Sequence, residues 1–340
     1  MTSPPGIKEV SAGYGELMLV EQPAIDLLTS LGWSFKNLYA ETFGELGSEG
    51  RDSESQVILT RRLRAALERL NPGLPADAYA QAVEQLARDR SKQIAVNANR
   101  DVYRLLKEGV KVKVPDEHGG HSIETLRVID WATPANNEFF IASQMWVAGD
   151  MYRRRCDLLA FVNGLPLVFI ELKKPSVPLK SAFDDNLRDY RGQSIPQLFH
   201  PNAFILLSNG SVTKVGTLTS TWEHFFDWKR VLDEDEPEPR HEVSLVVALQ
   251  GLCEPTRLLD YVENFTLFEE GKGGVIKKVA KNHQFLGVNK AIARLVELKE
   301  AKTTERKRLG VFWHTQGSGK SLSMEQVAKL PRSHAVNVAG

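Results

Sequence analysis

The chain has 340 residues, 42% hydrophobic and 25% charged, the composition of an ordinary soluble globular protein with room for two domains, or one large α/β domain and an appendage. Its 43 Lys and Arg balance its 43 Asp and Glu, which excludes binding a polyanion by overall charge; a nucleic-acid partner has to meet local patches. Cys156 and Cys253, the two cysteines, lie far apart and exclude a disulfide framework or a cysteine-based zinc site. No apolar run approaches a membrane span, so the expectation is a cytoplasmic chain with no membrane partner.

In chain order, residues 16–31 carry apolar residues at helical spacing up to Gly32, and Pro23 marks either a kink or the true helix start. Residues 44–52 read as a polar loop. Residues 56–70 predict an amphipathic helix, with Leu59, Leu63, Ala66, Leu67 and Leu70 on one stripe, stopped by Asn71-Pro72-Gly73. A helix over 76–89 and a further turn near 102–106 follow. Strands are predicted over 109–114, 126–131 and 139–147. Pro175 and Pro178 break the chain before a helix over 179–190, and 203–207 and 212–218 read as two more strands. The acidic, proline-bearing stretch 233–241 is a loop or linker. Helices near 242–252 and 256–262, punctuation at 271–274, a long helix over 284–299 and a short strand over 309–313 complete the chain.

The centre of this pattern is a hairpin. Residues 158–162 and 165–170 are short apolar runs, rich in β-branched and aromatic side chains, separated by Asn163-Gly164. Asp157 opens the first run, and Glu171-Leu172-Lys173 closes the second. Glu171 and Lys173 share a strand face. Two carboxylates, a main-chain carbonyl such as that of Leu172, and a lysine suit a divalent cation and a phosphate, the chemistry of phosphodiester hydrolysis. Register decides whether they meet. A two-residue turn alone sets Asp157 opposite Ile170, whereas a three-residue loop or a bulge sets it opposite Glu171. The alternative is that the three are solvated charges where two core strands run out.

Near the end of the chain, Gln316-Gly317-Ser318-Gly319-Lys320-Ser321 follows an apolar strand and opens a helical stretch. It resembles a Walker A loop: the backbone N–H groups from Gly317 to Gly319 converge on phosphates, Lys320 reaches the terminal ones and Ser321 can hold Mg²⁺. His314 stands at the position of the first glycine, as in superfamily 2 helicases. ATP is therefore an expected ligand. Hydrolysis also needs an acidic strand and arginines from a second lobe. The chain stops at Gly340, so the expectation is a truncated protein with an incomplete ATP site and no ATPase activity of its own.

A metal-nuclease hairpin followed by a helicase-type loop resembles the restriction (endonuclease) subunit of type I restriction enzymes. The likeness covers nearly the whole chain: Leu31-Gly32-Trp33, the 59–72 stretch, 155–175 with its Asn-Gly-Leu-Pro and Glu-Leu-Lys, Ile195-Pro196-Gln197-Leu198-Phe199, Ser208-Asn209-Gly210, and 313–321. The resemblance implies a PD-(D/E)xK endonuclease domain over 1–232, a mixed sheet flanked by helices. The beginning of a RecA-like helicase lobe over 242–340 follows. It assigns catalysis to Asp157, Glu171 and Lys173, Mg²⁺ to Asp157 and Glu171, and an additional metal acid to Glu21, which is equally explained as a surface glutamate. The family's Gln-x-x-x-Tyr element falls on Asn186 and Tyr190, with asparagine for glutamine; Tyr190 could equally pack on the hairpin. Cys156 stands where the signature has proline. Gln284 resembles the adenine-reading glutamine, or caps a helix. Implied partners are double-stranded DNA and the methyltransferase and specificity subunits of the same system. The expected activity is type I site-specific cleavage of foreign DNA; the alternative is a silent chain that only binds DNA or the methyltransferase.

Overall fold

The structure is a computed structural model that describes residues 17–44, 46–116, 119–233 and 243–300. The acidic stretch beyond Asp233, the 309–313 strand and the phosphate loop with Gly317, Ser318, Gly319, Lys320 and Ser321 lie outside the described residues. The strands are β1 (Ser34–Asn37), β2 (Val110–Pro115), β3 (His121–Leu126), β4 (Phe139–Ala148), β5 (Arg153–Val162), β6 (Leu165–Leu172), β7 (Phe204–Ser208), β8 (Thr213–Gly216), β9 (Phe226–Asp227), β10 (Thr266–Gly271) and β11 (Gly274–Val279). Seven form one sheet in the order β1-β4-β5-β6-β7-β8-β9, while β2–β3 and β10–β11 are separate hairpins. In the large sheet β1 runs parallel to β4 and β6 parallel to β7; the other pairs are antiparallel. The fold is mixed α/β.

Strand β6 sits in the middle of the sheet and is buried along its whole length, which is why its sequence is a near-continuous apolar run rather than an alternating one. Helices cover both faces: α1 (Gln22–Ser30), α2 (Thr60–Leu70), α3 (Ala76–Ala87), α4 (Ala95–Glu108), α5 (Ser244–Cys253), α6 (Pro255–Asn264) and α7 (Asn282–Glu300). On one face Trp33, just after α1, meets Phe139 edge-on at 5.1 Å, and Tyr261 of α6 meets Phe204 at 5.4 Å. On the other, Arg62 of α2 lies 3.7 Å over the Phe140 ring, and Tyr190 and Phe199 pack on Phe169. No helix among the described residues is long and apolar enough to cross a membrane.

Several expected elements take a different form. Pro23 lies in the first turn of α1, preceded by a π-helical turn at Leu17–Glu21, so the helix proper begins there. The stripe read from residue 56 becomes helical only at Thr60, because the Leu59 N–H is drawn to Gly164 O at 2.9 Å. The turn near 102–106 is part of the full helix α4. The 179–190 helix is present as two π-helical pieces, Ala182–Leu187 and Tyr190–Ser194. The strand predicted over 126–131 is not one; β3 ends at Leu126. Hairpin β10–β11 spans the stretch read as mere punctuation. Residues from Leu245 to Ile292, part of the segment expected to open a second lobe, contribute to the same core as the sheet. Trp33 Nε1 donates to Cys253 O at 2.8 Å, and Trp228 packs against Tyr261 and Phe285.

The turn between β5 and β6 is fixed twice over. Asn163 and Gly164 both have positive φ, 51° and 80°, as a tight two-residue hairpin turn demands. A Cβ on Gly164 would lie 2.6 Å from Leu59 O and 2.7 Å from Leu63 N, so the start of α2 seats directly on the turn. Asn163 is fully buried; its Nδ2 donates to Val128 O and Asn137 Oδ1, and its Oδ1 accepts from Glu138 N.

Candidate active site

The register follows from these facts. Val162 pairs with Leu165 and Phe161 with Pro166, as a two-residue turn requires, but Ala160 pairs with Val168 and Leu158 with Ile170. Leu167 is the extra residue of a β-bulge. Pro166 has no N–H to give to a central ladder, and a bulge is where such a strand accommodates proline. One step beyond Leu158 and Ile170, Asp157 stands level with Glu171 and on the same face. Both register alternatives are thus half present: the turn is the short one, and the bulge restores the pairing that the short turn would lose.

Asp157, Glu171 and Lys173 come together at this corner. Asp157 Oδ2 accepts from Leu172 N at 2.8 Å. Lys173 Nζ lies 3.0 Å from Glu171 Oε1, with 20% of the lysine side chain exposed and 2% of the glutamate. Lys173 N donates to Ser208 O at 2.8 Å, which carries the strand direction past Leu172 against β7. Glu171 is therefore not a solvated charge at a frayed strand end. A carboxylate buried this far has to be paired, and the Lys173 ammonium is its neighbour.

The remaining expected residues surround this corner to different degrees. Glu21 is buried, not on the surface, and its Oε2 accepts from Gln144 Nε2 at 2.7 Å. Gln144 has φ 56° and lies in β4 between the pairs Ser143–Leu158 and Met145–Cys156, so it is the β4 neighbour of Asp157. Among the described residues no three His, Cys, Asp or Glu side chains gather as a cation-holding group. The Asn186 amide, in the first π-helical piece, donates to the Tyr190 hydroxyl at the start of the second at 3.1 Å. Tyr190 packs edge-on against Phe169 at 6.1 Å. Burial, and then the negative charge of Glu171, push its hydroxyl well above the usual tyrosine range, so it stays protonated beside the carboxylates. Cys156 is fully buried, and burial followed by the charges of Glu171 and Asp157 keeps its thiol protonated. Gln284 is buried at the start of α7, where its Oε1 accepts from Lys281 N at 2.8 Å, a helix-capping contact.

Gln144 was not singled out from sequence. The available signal is a lone amide inside the apolar run 139–147; its positive φ leaves no mark in the sequence. The corner offers carboxylate and main-chain oxygens with an ammonium beside them, a donor set for a hard divalent cation next to a group that offsets phosphate charge.

Comparison with known proteins places these features in context. Residues 13–224 match the family described as the type I restriction enzyme R protein N terminus, and residues 283–338 match the SWI2/SNF2 ATPase family. Over 313 residues the chain is 36% identical to the type I restriction enzyme HindI endonuclease subunit of Haemophilus influenzae, covering 90% of this chain and 29% of that protein. It is 31% identical over 355 residues to a putative type I restriction enzyme MjaIXP endonuclease subunit of Methanocaldococcus jannaschii, covering 95% of this chain and 32% of that one. A Staphylococcus saprophyticus type I endonuclease subunit is 27% identical over 232 residues. The chain spans less than a third of the length of each of these relatives.

Proposed function

Because this chain belongs to the type I restriction enzyme R protein family, we propose that the corner of Asp157, Glu171 and Lys173 is a PD-(D/E)xK nuclease centre that cleaves double-stranded DNA with Mg²⁺. The observation that carries the reading is the bulge at Leu167, which brings Asp157 level with Glu171. The donor set fits the ion: the Asp157 and Glu171 carboxylates with the Leu172 carbonyl would hold it, and all are oxygens. Bound there, Mg²⁺ supplies an acidified water and charge stabilisation for the leaving oxygen.

The side chains do the rest. The Leu172 N–H fixes the Asp157 carboxylate, so its orientation is set before substrate arrives. Lys173, the more exposed member of its ion pair, faces the approaching phosphodiester and offsets the charge that develops on it. Tyr190, still protonated, gives the buried side of the site a neutral O–H, positioned by Asn186. Glu21 orders the β4 side through Gln144.

On this reading residues 1–232 carry the endonuclease centre and 242–340 lead into a superfamily 2 ATPase lobe, with Leu245 to Ile292 packed on the endonuclease core; Gly317 to Ser321 would cradle ATP phosphates and Gln284 would stand on the adenine side. The match of 283–338 to an ATPase family supports that assignment. The proposed partners are DNA and the methyltransferase and specificity subunits of the same system. Supercoiled plasmid incubated with the chain and Mg²⁺ should be nicked or linearised, and neither Asp157→Ala nor wild type in chelator should act. Plasmid left intact by the folded wild type would leave a silent binding module instead.

A further inference from the structure

We infer that Tyr39, Trp146 and Arg155 form a ledge that grips the phosphate backbone of the DNA strand leading into the Asp157–Glu171 corner; the reading of what lies at its end rests on the proposed nuclease function. In β5, Arg153, Arg155 and Asp157 point to one face at steps of about 7 Å. Trp146 pairs with Arg155 across the β4–β5 ladder and therefore shares that face. The Arg155 guanidinium lies 5.7 Å from the Trp146 ring and 5.7 Å from the Tyr39 ring, which are themselves 6.2 Å apart. Arg153 stacks on Trp146 at 3.8 Å. An arginine file set on aromatic rings thus runs along the strand straight to the carboxylates.

The ledge stands on a fixed base. Tyr39 N is tied to Asn37 Oδ1 at 2.9 Å, and the Trp146 carbonyl accepts from the fully buried Arg51. Charge then separates the three arginines. Arg153 is paired with Glu54 and Arg154 with Asp189, whereas Arg155 is exposed and makes no ion pair among the described residues. A guanidinium laid on aromatic faces loses little further freedom on binding and keeps its in-plane N–H groups for a phosphate. Arg153 covers the Trp146 ring, and Arg155 sits beside Trp146 and the exposed Tyr39, so the groups the ledge presents along the strand are guanidinium N–H donors. The occupant is therefore a phosphodiester backbone, gripped without regard to sequence.

The test is fluorescence anisotropy of a labelled duplex DNA with the whole chain, without divalent metal, across a salt series. Arg155→Ala should bind about tenfold more weakly at low salt, and its log–log salt slope should fall by about 0.9, the loss of one phosphate contact. Tyr39→Ala removes no charge yet should also weaken binding, and Arg155→Lys should keep the slope while only partly restoring affinity. Equal affinity and slope for Arg155→Ala and wild type would overturn the ledge, as would a wild type that does not bind duplex at low salt. Plasmid cleavage read in parallel separates the two readings. If Asp157→Ala is dead and Arg155→Ala binds like wild type, only the ledge falls; if Asp157→Ala still cuts, only the nuclease centre does.

Discussion

The Asp157 carboxylate is held by the backbone of its neighbouring strand: Oδ2 accepts at 2.8 Å from the N–H of Leu172, the residue between Glu171 and Lys173. Orientation of the acid is thus a consequence of strand pairing, and strand pairing is a consequence of the bulge at Leu167. Fold and site share one structural cause.

Asn at position 157 separates charge from geometry. Asp157→Asn keeps an oxygen acceptor for Leu172 N, so its urea midpoint should match wild type while plasmid cleavage disappears. Asp157→Ala also loses the acceptor and should be less stable by about 1 kcal/mol. Cleavage by the Asn variant at the wild-type rate would show that the carboxylate charge is not used.

Lys173 tests the burial of Glu171. Solvated strand-end charges would contribute nothing measurable, but here the glutamate is 2% exposed and its ammonium neighbour lies at 3.0 Å. Lys173→Met takes the nearest cation from a buried carboxylate and should cost about 1–3 kcal/mol, a value reduced because the lysine is partly in solvent. The double variant Glu171→Gln/Lys173→Met should regain part of that stability and none of the cleavage. A single variant as stable as wild type would return the pair to the surface-charge account.

The hairpin was legible because Asn163-Gly164 between two apolar runs has few other uses, and helices α2, α3 and α7 because their stripes are long. Register was not, since turn length and bulge act in opposite directions and only Pro166 hints at the second. The apolar run 126–131 misled for a different reason. Its backbone is satisfied by side chains, not by a partner strand: Arg127 N donates to Asn71 Oδ1, Asp130 N to Asn137 Oδ1, and Val128 O accepts from Asn163. Hairpin β10–β11 was missed because its inward face, Phe268, Val275 and Val279, is interrupted by Lys277, a charge that reads as outward in the sequence but is buried. The burial of Glu21 depends on Gln144, more than a hundred residues away, and no local pattern encodes it.

Gly164 should tolerate no side chain. Its φ is 80°, and an added Cβ would meet Leu59 O and Leu63 N well inside contact distance. Gly164→Ala should therefore destabilise by about 2–4 kcal/mol, combining backbone strain with a forced retreat of α2. Urea melts are the measure, and an unchanged midpoint would mean that the helix gives way freely.

The last prediction concerns Lys277, whose side chain is buried and donates to Asn202 O at 2.6 Å. Burial lowers its pKa from the ordinary 10.5 to about 7. Between those values the unfolded chain holds a proton that the folded chain has released, so this group makes stability rise with pH from 7 to 10.5 and fall as pH drops through that window. His200 acts in the same sense further down: burial, then Arg90, lowers its pKa from 6.5 to about 4, so stability is lost as pH falls across that lower range. Lys277→Met keeps the length of the side chain and removes the ionisable group. Asn202 O still accepts from Asn99 Nδ2 at 2.7 Å, so the substitution leaves that carbonyl satisfied. The variant should be more stable than wild type at pH 7, by about 1–3 kcal/mol, and the gain should shrink as pH rises toward 10 because only wild type improves. Urea unfolding at pH 7 and pH 9.5 reads both quantities. A variant less stable at both, by the same amount, would mean that the Nζ contact to Asn202 outweighs the cost of burying the ammonium.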